Sequence, residues 1–344
     1  MSRDFITNIQ ILEDELTSIL EDLDNDNPQQ ASDFFARFGF ADLYYGNRFF
    51  EVLDRGHEIL HLIARINPEK YKTIHKGYPF YWMGMAAYRI HDFQSAVYYI
   101  DATLSEDLEI FPHVDNTPPR LFLRLEGDNE KQAALHLVKG AQEGIEEYIN
   151  VYNGVIQKTN PEIPGLTLTD VRNSFLKLAV SSKFPNVRSL ASTFITFFLE
   201  LKYRDFQLSL RNQPGTNEPF FVHLFKGCLL FESLLKSNPT KKVVGSTLGK
   251  VLVELRDELN LPEMLRIGNK TLSNVLRGVL DADDDISRSI QLTASLRNTI
   301  GHDMSWPMQL SRDQYLNSFL HIEFSCLHAI ATLFRPARSP GDRE

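Results

Sequence analysis

Two cysteines in 344 residues leave little room for disulfide or thiolate chemistry. Cys228 and Cys326 each sit inside an apolar stretch of helical spacing, which suits buried thiols better than a bridge or a metal cage. Long apolar runs are missing as well. The uncharged stretches Ser189 to Leu199 and Phe324 to Phe334 are 11 residues each, short of the roughly 20 that a membrane-spanning helix requires. The start, Met1-Ser2-Arg3-Asp4, has no apolar run behind a basic segment, so a cytoplasmic chain without a membrane partner is expected. Nor is there sustained period-two alternation bounded by hairpin turns, which argues against a sheet.

What is present is an apolar periodicity of three and four residues, and it predicts an all-α protein. Hydrophobic content is 43%, ordinary for a packed core. The net charge of −9 divides unevenly: residues 1–165 hold 14 Lys and Arg against 27 Asp and Glu, residues 166–344 hold 22 against 18. The halves are thus −13 and +4, so any polyanion is expected to meet the back half.

In the front half, Gly84 to Asp107 places Gly84, Ala87, Ala96 and Ile100 where a helical hairpin needs small and apolar packing residues, with Thr103 where alanine is usual. The segment resembles a degenerate tetratricopeptide unit, and the resemblance implies helical hairpins in this region. Asn67-Pro68 and Asn160-Pro161 end two flanking helical stretches, and Asp22 to Gln30 reads as a polar loop. Boundaries rich in Pro, Gly and Asn fall at Asn160 to Gly165 and Arg211 to Pro219. The expected division is therefore an acidic helical domain over 1–165, connecting helices over 166–215 that carry Phe194, Phe197, Phe198 and Leu201, a helical bundle over 216–336, and a flexible tail over 337–344.

Within the bundle, Phe221, Leu224, Cys228, Phe231 and Leu235 form one apolar seam, and Tyr315, Phe319, Ile322, Cys326, Ala329 and Leu333 form another. Val244, Leu248, Val251 and Leu255 predict a further helix, Leu272 to Leu280 a short one, and Gln314 to Phe334 the closing one. Ahead of that last helix, Ile286, Ile290, Thr293, Leu296 and Ile300 place Arg297 on a helix, and Gly301 reads as its stop. Arg297 is then followed by the polar Asn298 and, five residues on, by His302. An arginine presents a permanent planar fork that matches phosphate, and a histidine can trade a proton near neutral pH. Residues five apart on an unbroken helix point about 140° away from each other, so a glycine turn before His302 is expected to let the two converge.

A few helices, an Arg-polar-x3-His motif and a closing apolar helix together resemble the HEPN superfamily over roughly 120 residues of this chain. The resemblance implies a metal-independent endoribonuclease without a cofactor, in which His302 is general acid or base, Arg297 stabilises the charged phosphorane, and Asn298 orients the phosphate or the histidine. It also implies RNA as partner of the back half, a homodimer with two motifs facing one cleft, and a protein-docking or sensing role for the front half, in stress, toxin–antitoxin or antiviral control. A non-catalytic HEPN or tetratricopeptide-like module that binds RNA or protein is the alternative.

Other constellations compete. His57-Glu58-Ile59-Leu60-His61 is a literal H-E-x-x-H, which on a helix could hold zinc through His57 and His61 with Glu58 as the base of a metallopeptidase. Ala64 and Asn67 stand where one zincin class continues with glycine and histidine, so no bound zinc is expected. Arg55 and His61 share a similar Arg-to-His spacing, but Gly56 follows Arg55. His223 and Glu232, nine residues apart, could face the same cleft. The run Asp281 to Asp285 reads as a helix cap and dipole partner rather than a metal site, and Trp306-Pro307 as a chain turn.

Overall fold

The computed structural model describes residues 16–24, 27–110, 112–114, 116–126, 134–212, 215–262, 271–281, 285–302 and 309–335, with the backbone alone at His302. Every regular element among the described residues is helical and none is a strand. Trp306, Pro307 and the expected tail over 337–344 lie outside these residues. The chain forms two compact units, one running to Phe122 and including Ala134, the other holding 123–126 and everything from Leu135 onward.

After a helical segment at 16–22, the first unit is built from α1 (Pro28–Ala36), α2 (Phe40–Tyr45), α3 (Phe49–Ile66), α4 (Pro68–Thr73), α5 (Gly77–Arg89), α6 (Phe93–Ile110) and α7 (Pro118–Leu123). Two of these starts use one device. Asn27 and Asn67 accept from the backbone N–H of Gln30 and Lys70, and a proline occupies the first helical position behind each. The stretch read as a loop up to Gln30 therefore ends at Asn27, where the helix begins. α5 and α6 pack as the expected hairpin. A β-carbon on Gly84 would sit 2.9 Å from the Ile100 side chain, so only glycine lets the helices come this close. Ala87 and Ala96 are fully buried at the same seam. Thr103, also buried, returns its hydroxyl to Tyr99 O at 2.8 Å and so adds no unpaired polar atom.

The second unit contains α8 (Leu135–Thr159); α9 (Leu168–Asp170), which runs through π-helical Val171–Leu176 into Lys177–Val180; α10 (Pro185–Ser209); α11 (Glu218–Lys236); α12 (Leu248–Glu254); α13 (Leu272–Leu280); α14 (Ile286–His302); and α15 (Arg312–Ala329), which ends in π-helical Ile330–Phe334. α15 is its axis, packed against α8, α10, α11, α13 and α14. Such a helix must bury its whole circumference. Its polar residues are mostly satisfied in place: His321 Nδ1 lies 2.9 Å from Ser289 Oγ, Ser325 donates to His321 O at 2.8 Å, and His328 donates to Leu259 O at 2.8 Å.

Several expectations change. The front unit ends near Phe122 instead of at 165, because α8 packs on α10, α14 and α15; its apolar stripe, with Ile145, Ile149, Tyr152 and Ile156 buried, finds its complement in the back half. Residues 166–215 are core and not a connection: Phe194 and Phe197 are fully buried, and Phe197 stacks on Phe319 at 4.6 Å. α12 starts at Leu248 behind its Thr247 cap, so Val244 lies outside the helix and is 77% exposed. Gly301 does not stop α14, which continues to His302.

Candidate functional site

The site region lies where α11 and α14 pack against each other. Glu232 and Lys236 are one turn apart on α11, the spacing at which a glutamate and a lysine pair on a helix. Arg297 and Asn298 come from α14. Arg297 donates from Nε to Glu232 Oε2 at 2.9 Å, while Lys236 Nζ reaches Glu232 Oε1 at 2.5 Å. The Glu232 side chain is only 7% exposed and that of Arg297 is 30% exposed. Burial pushes the Glu232 carboxyl up, but the hydrogen bond from Lys236 and the charge of Arg297 outweigh it and hold the group below the usual glutamate range. A fixed carboxylate between two cations leaves a net positive spot at the surface. Arg297 also approaches Asn298 Oδ1, at 3.4 Å from Nη1.

Gly301 has a packing role. A β-carbon there would lie 3.1 Å from the Phe225 ring, so the glycine brings the last turn of α14 down onto α11. With α14 unbroken, Arg297 and His302 lie five residues apart on one helix and do not share a face. Beside them α11 presents Val222, Phe225 and Leu229, an apolar stripe at helical spacing that is exposed or half-exposed.

His223 is not part of this region. It is fully buried, donates from Nε2 to Phe197 O at 3.0 Å and accepts at Nδ1 from Tyr315 OH at 2.6 Å. Burial brings its pKa down to about 4, against the opposing pull of Glu200, so it stays neutral. Of the acidic run, Asp285 caps α14, its side chain accepting from Ser287 N at 3.2 Å, and Asp281 ends α13; the three residues between lie outside the described ones.

In the first unit, His57, Glu58 and His61 lie exposed on α3. His57 Nε2 meets Tyr99 OH at 2.6 Å, and Arg55 donates to Phe38 O at 2.8 Å. No group of three or more His, Cys, Asp or Glu placed to hold a metal occurs among the described residues. No described helix is long and apolar enough to cross a membrane.

Lys236 is the member of the cluster that sequence reading passed over, although its spacing from Glu232 was a usable signal. Compared with known protein families, with curated proteins and with solved structures, the chain matches none of them.

Proposed function

We propose that the second unit is a metal-independent endoribonuclease in which Arg297 grips the scissile phosphate and His302 handles the proton. The observation that supports this reading most is the state of Arg297: it is anchored through Nε to the buried Glu232, yet its side chain stays partly open to solvent. A guanidinium held this way keeps a nitrogen edge for an incoming phosphate and loses little freedom on binding. The ribose 2′-hydroxyl gives up its proton to a base and attacks phosphorus; the 5′-oxygen leaves with a proton from an acid. The products are a 2′,3′-cyclic phosphate and a 5′-hydroxyl, and one imidazole can serve as base or acid. Arg297 balances the charge of the phosphorane, and Asn298 orients the phosphate.

Because α14 is continuous, positions 297 and 302 fall on different faces of the helix in one chain. A two-fold contact through the stripe of Val222, Phe225 and Leu229 is the proposed remedy: it sets His302 of one copy near Arg297 of the other. The excess of cations in the back half favours RNA there, while the acidic front half is left for a protein partner or a signal.

The test is incubation with total RNA in EDTA, wild type beside His302→Ala and Arg297→Ala, with end-group analysis and a thermal melt of each protein. Cleavage by the wild type with cyclic-phosphate ends, lost in both folded variants, is expected. Full cleavage by His302→Ala overturns the mechanism. RNA binding without cleavage by the wild type points instead to a non-catalytic module.

A further inference from the structure

The first unit opens a cavity of about 250 Å³ bounded by α1, α5, α6 and the start of α7. Tyr78, Tyr81 and Trp82 supply its aromatic surface, with ring centroids 6.1 Å apart for Tyr78 and Trp82 and 5.6 Å for Tyr81 and Trp82. His75 and Asp107, both buried, also line it. Asp107 Oδ1 lies 3.2 Å from His75 Nε2, and the Asp107 side chain is 7% exposed. No lysine or arginine lines the space. The neighbouring Lys76 is engaged elsewhere: its Nζ donates to Ile74 O at 2.8 Å and pairs with Glu106 at 3.1 Å.

We propose that this cavity is a binding site for a small organic cation, an ammonium or guanidinium group carried on an apolar body of about one ring. Three arguments converge. A buried carboxylate on the wall of a largely aromatic space is costly until donors meet it. A cation meets it with a charge-assisted hydrogen bond, and the faces of Trp82, Tyr81 and Tyr78 attract the same charge. An anion would face Asp107 with no lysine or arginine in the lining to offset it, and a neutral apolar guest would offer the carboxylate no donor. The size is just below the usual range of small-ligand pockets, which starts near roughly 300 Å³. Gly77 is part of the design: a β-carbon there would lie 2.6 Å from His75 Cε1 and 3.0 Å from Asp107 Oδ1, closing the floor. His75 Nε2, against Asp107 Oδ1, holds the carboxylate in place on the cavity wall.

The experiment is calorimetric titration of the full chain with benzylammonium, benzyl alcohol and benzoate, which share a ring and differ in charge. Benzylammonium is expected to bind about tenfold or more tighter than either of the others, a gap of about 1.4 kcal/mol or more. Asp107→Asn should remove that advantage. Ser32→Trp, a change at the rim that leaves the floor untouched, should block binding, and thermal melts confirm that each variant is folded. If Asp107→Asn fails to fold, Tyr81→Leu takes its place and should weaken benzylammonium more than benzyl alcohol. Equal affinity for the three compounds, tighter binding of benzoate, an unchanged affinity in the folded Asp107→Asn or Ser32→Trp protein, or no binding by the wild type overturns the proposal.

Discussion

Glu232 on α11 and Arg297 on α14, 65 positions apart in sequence, meet at 2.9 Å, with the carboxylate buried and the guanidinium partly open. Removing the charge of Glu232 leaves Arg297 and Lys236 facing each other without their common acceptor. Glu232→Gln is expected to lower stability by about 1–3 kcal/mol at pH 7, the range for charge-assisted hydrogen bonds in partly buried settings. The folded carboxyl is held below its ordinary pKa, so its contribution is present above the unfolded glutamate pKa and is lost as pH falls through the folded one. Urea titrations at a series of pH values should show the deficit of the variant at pH 7 and its decline as pH falls below the unfolded glutamate pKa. RNA cleavage should fall in the same variant at pH 7.

Two glycines should respond differently to a methyl group. At Gly227 a β-carbon would lie 2.2 Å from Phe197 and 2.8 Å from Ile322. Phe197 cannot retreat, being packed against His223 and Phe319, each with its ring centroid 4.6 Å away. At Gly56 the clash, at 2.3 Å, is with the flexible Met83 side chain. Gly227→Ala is expected to lose about 1–3 kcal/mol or more, as overpacking does, and Gly56→Ala clearly less. Equal losses in chemical denaturation would contradict this account of the α10–α11 packing.

Acid should unfold the second unit through its neutral histidines. Burial brings both His223 and His328 down to about 4. A depressed folded pKa means stability that is present above the unfolded value near 6.5 and is lost as pH falls towards 4, since the unfolded chain takes up protons that the folded one refuses. Each histidine is worth roughly 3 kcal/mol over that window. His328→Gln should be less stable at pH 7 but show a shallower decline between pH 6.5 and 4, read from urea midpoints.

Glu323 has the opposite sign. It is fully buried on α15, neither carboxyl oxygen has a hydrogen-bond partner among the described residues, and burial raises its pKa well above the usual range. The folded form keeps a proton that the unfolded form releases above about pH 4.3, so stability is full below that value and falls as pH rises towards the folded pKa, by about 1.4 kcal/mol per pH unit. Glu323→Met, which keeps the volume and removes the ionisable group, is expected to be more stable than wild type at pH 8, with the gap closing at pH 4. A gap that does not change with pH would show that Glu323 is ionised in the folded protein.

The boundary between what was legible and what was not follows the range of the forces involved. Helices were readable wherever the apolar residues recur along one face: Leu272–Leu280 is found as expected, the closing helix begins at Arg312 and runs on to Phe334, and Gly84, Ala87 and Ala96 marked the hairpin seam before any packing was known. These features depend on spacing within a few turns, which sequence carries directly. Gly301 shows the limit. A glycine near a helix end reads as a stop, yet here it serves a contact with Phe225 that lies 76 positions away. The Glu232–Arg297 pair, the placement of α8 in the second unit, and the meeting of His75 with Asp107 beside Trp82 are of the same kind. Each depends on which helix faces get buried against which, and local periodicity specifies that a face must be covered without specifying its partner. Sequence by itself therefore determined the helical class and most helix positions; only the tertiary structure decided which charges meet, where the units divide and where the first unit opens a cavity.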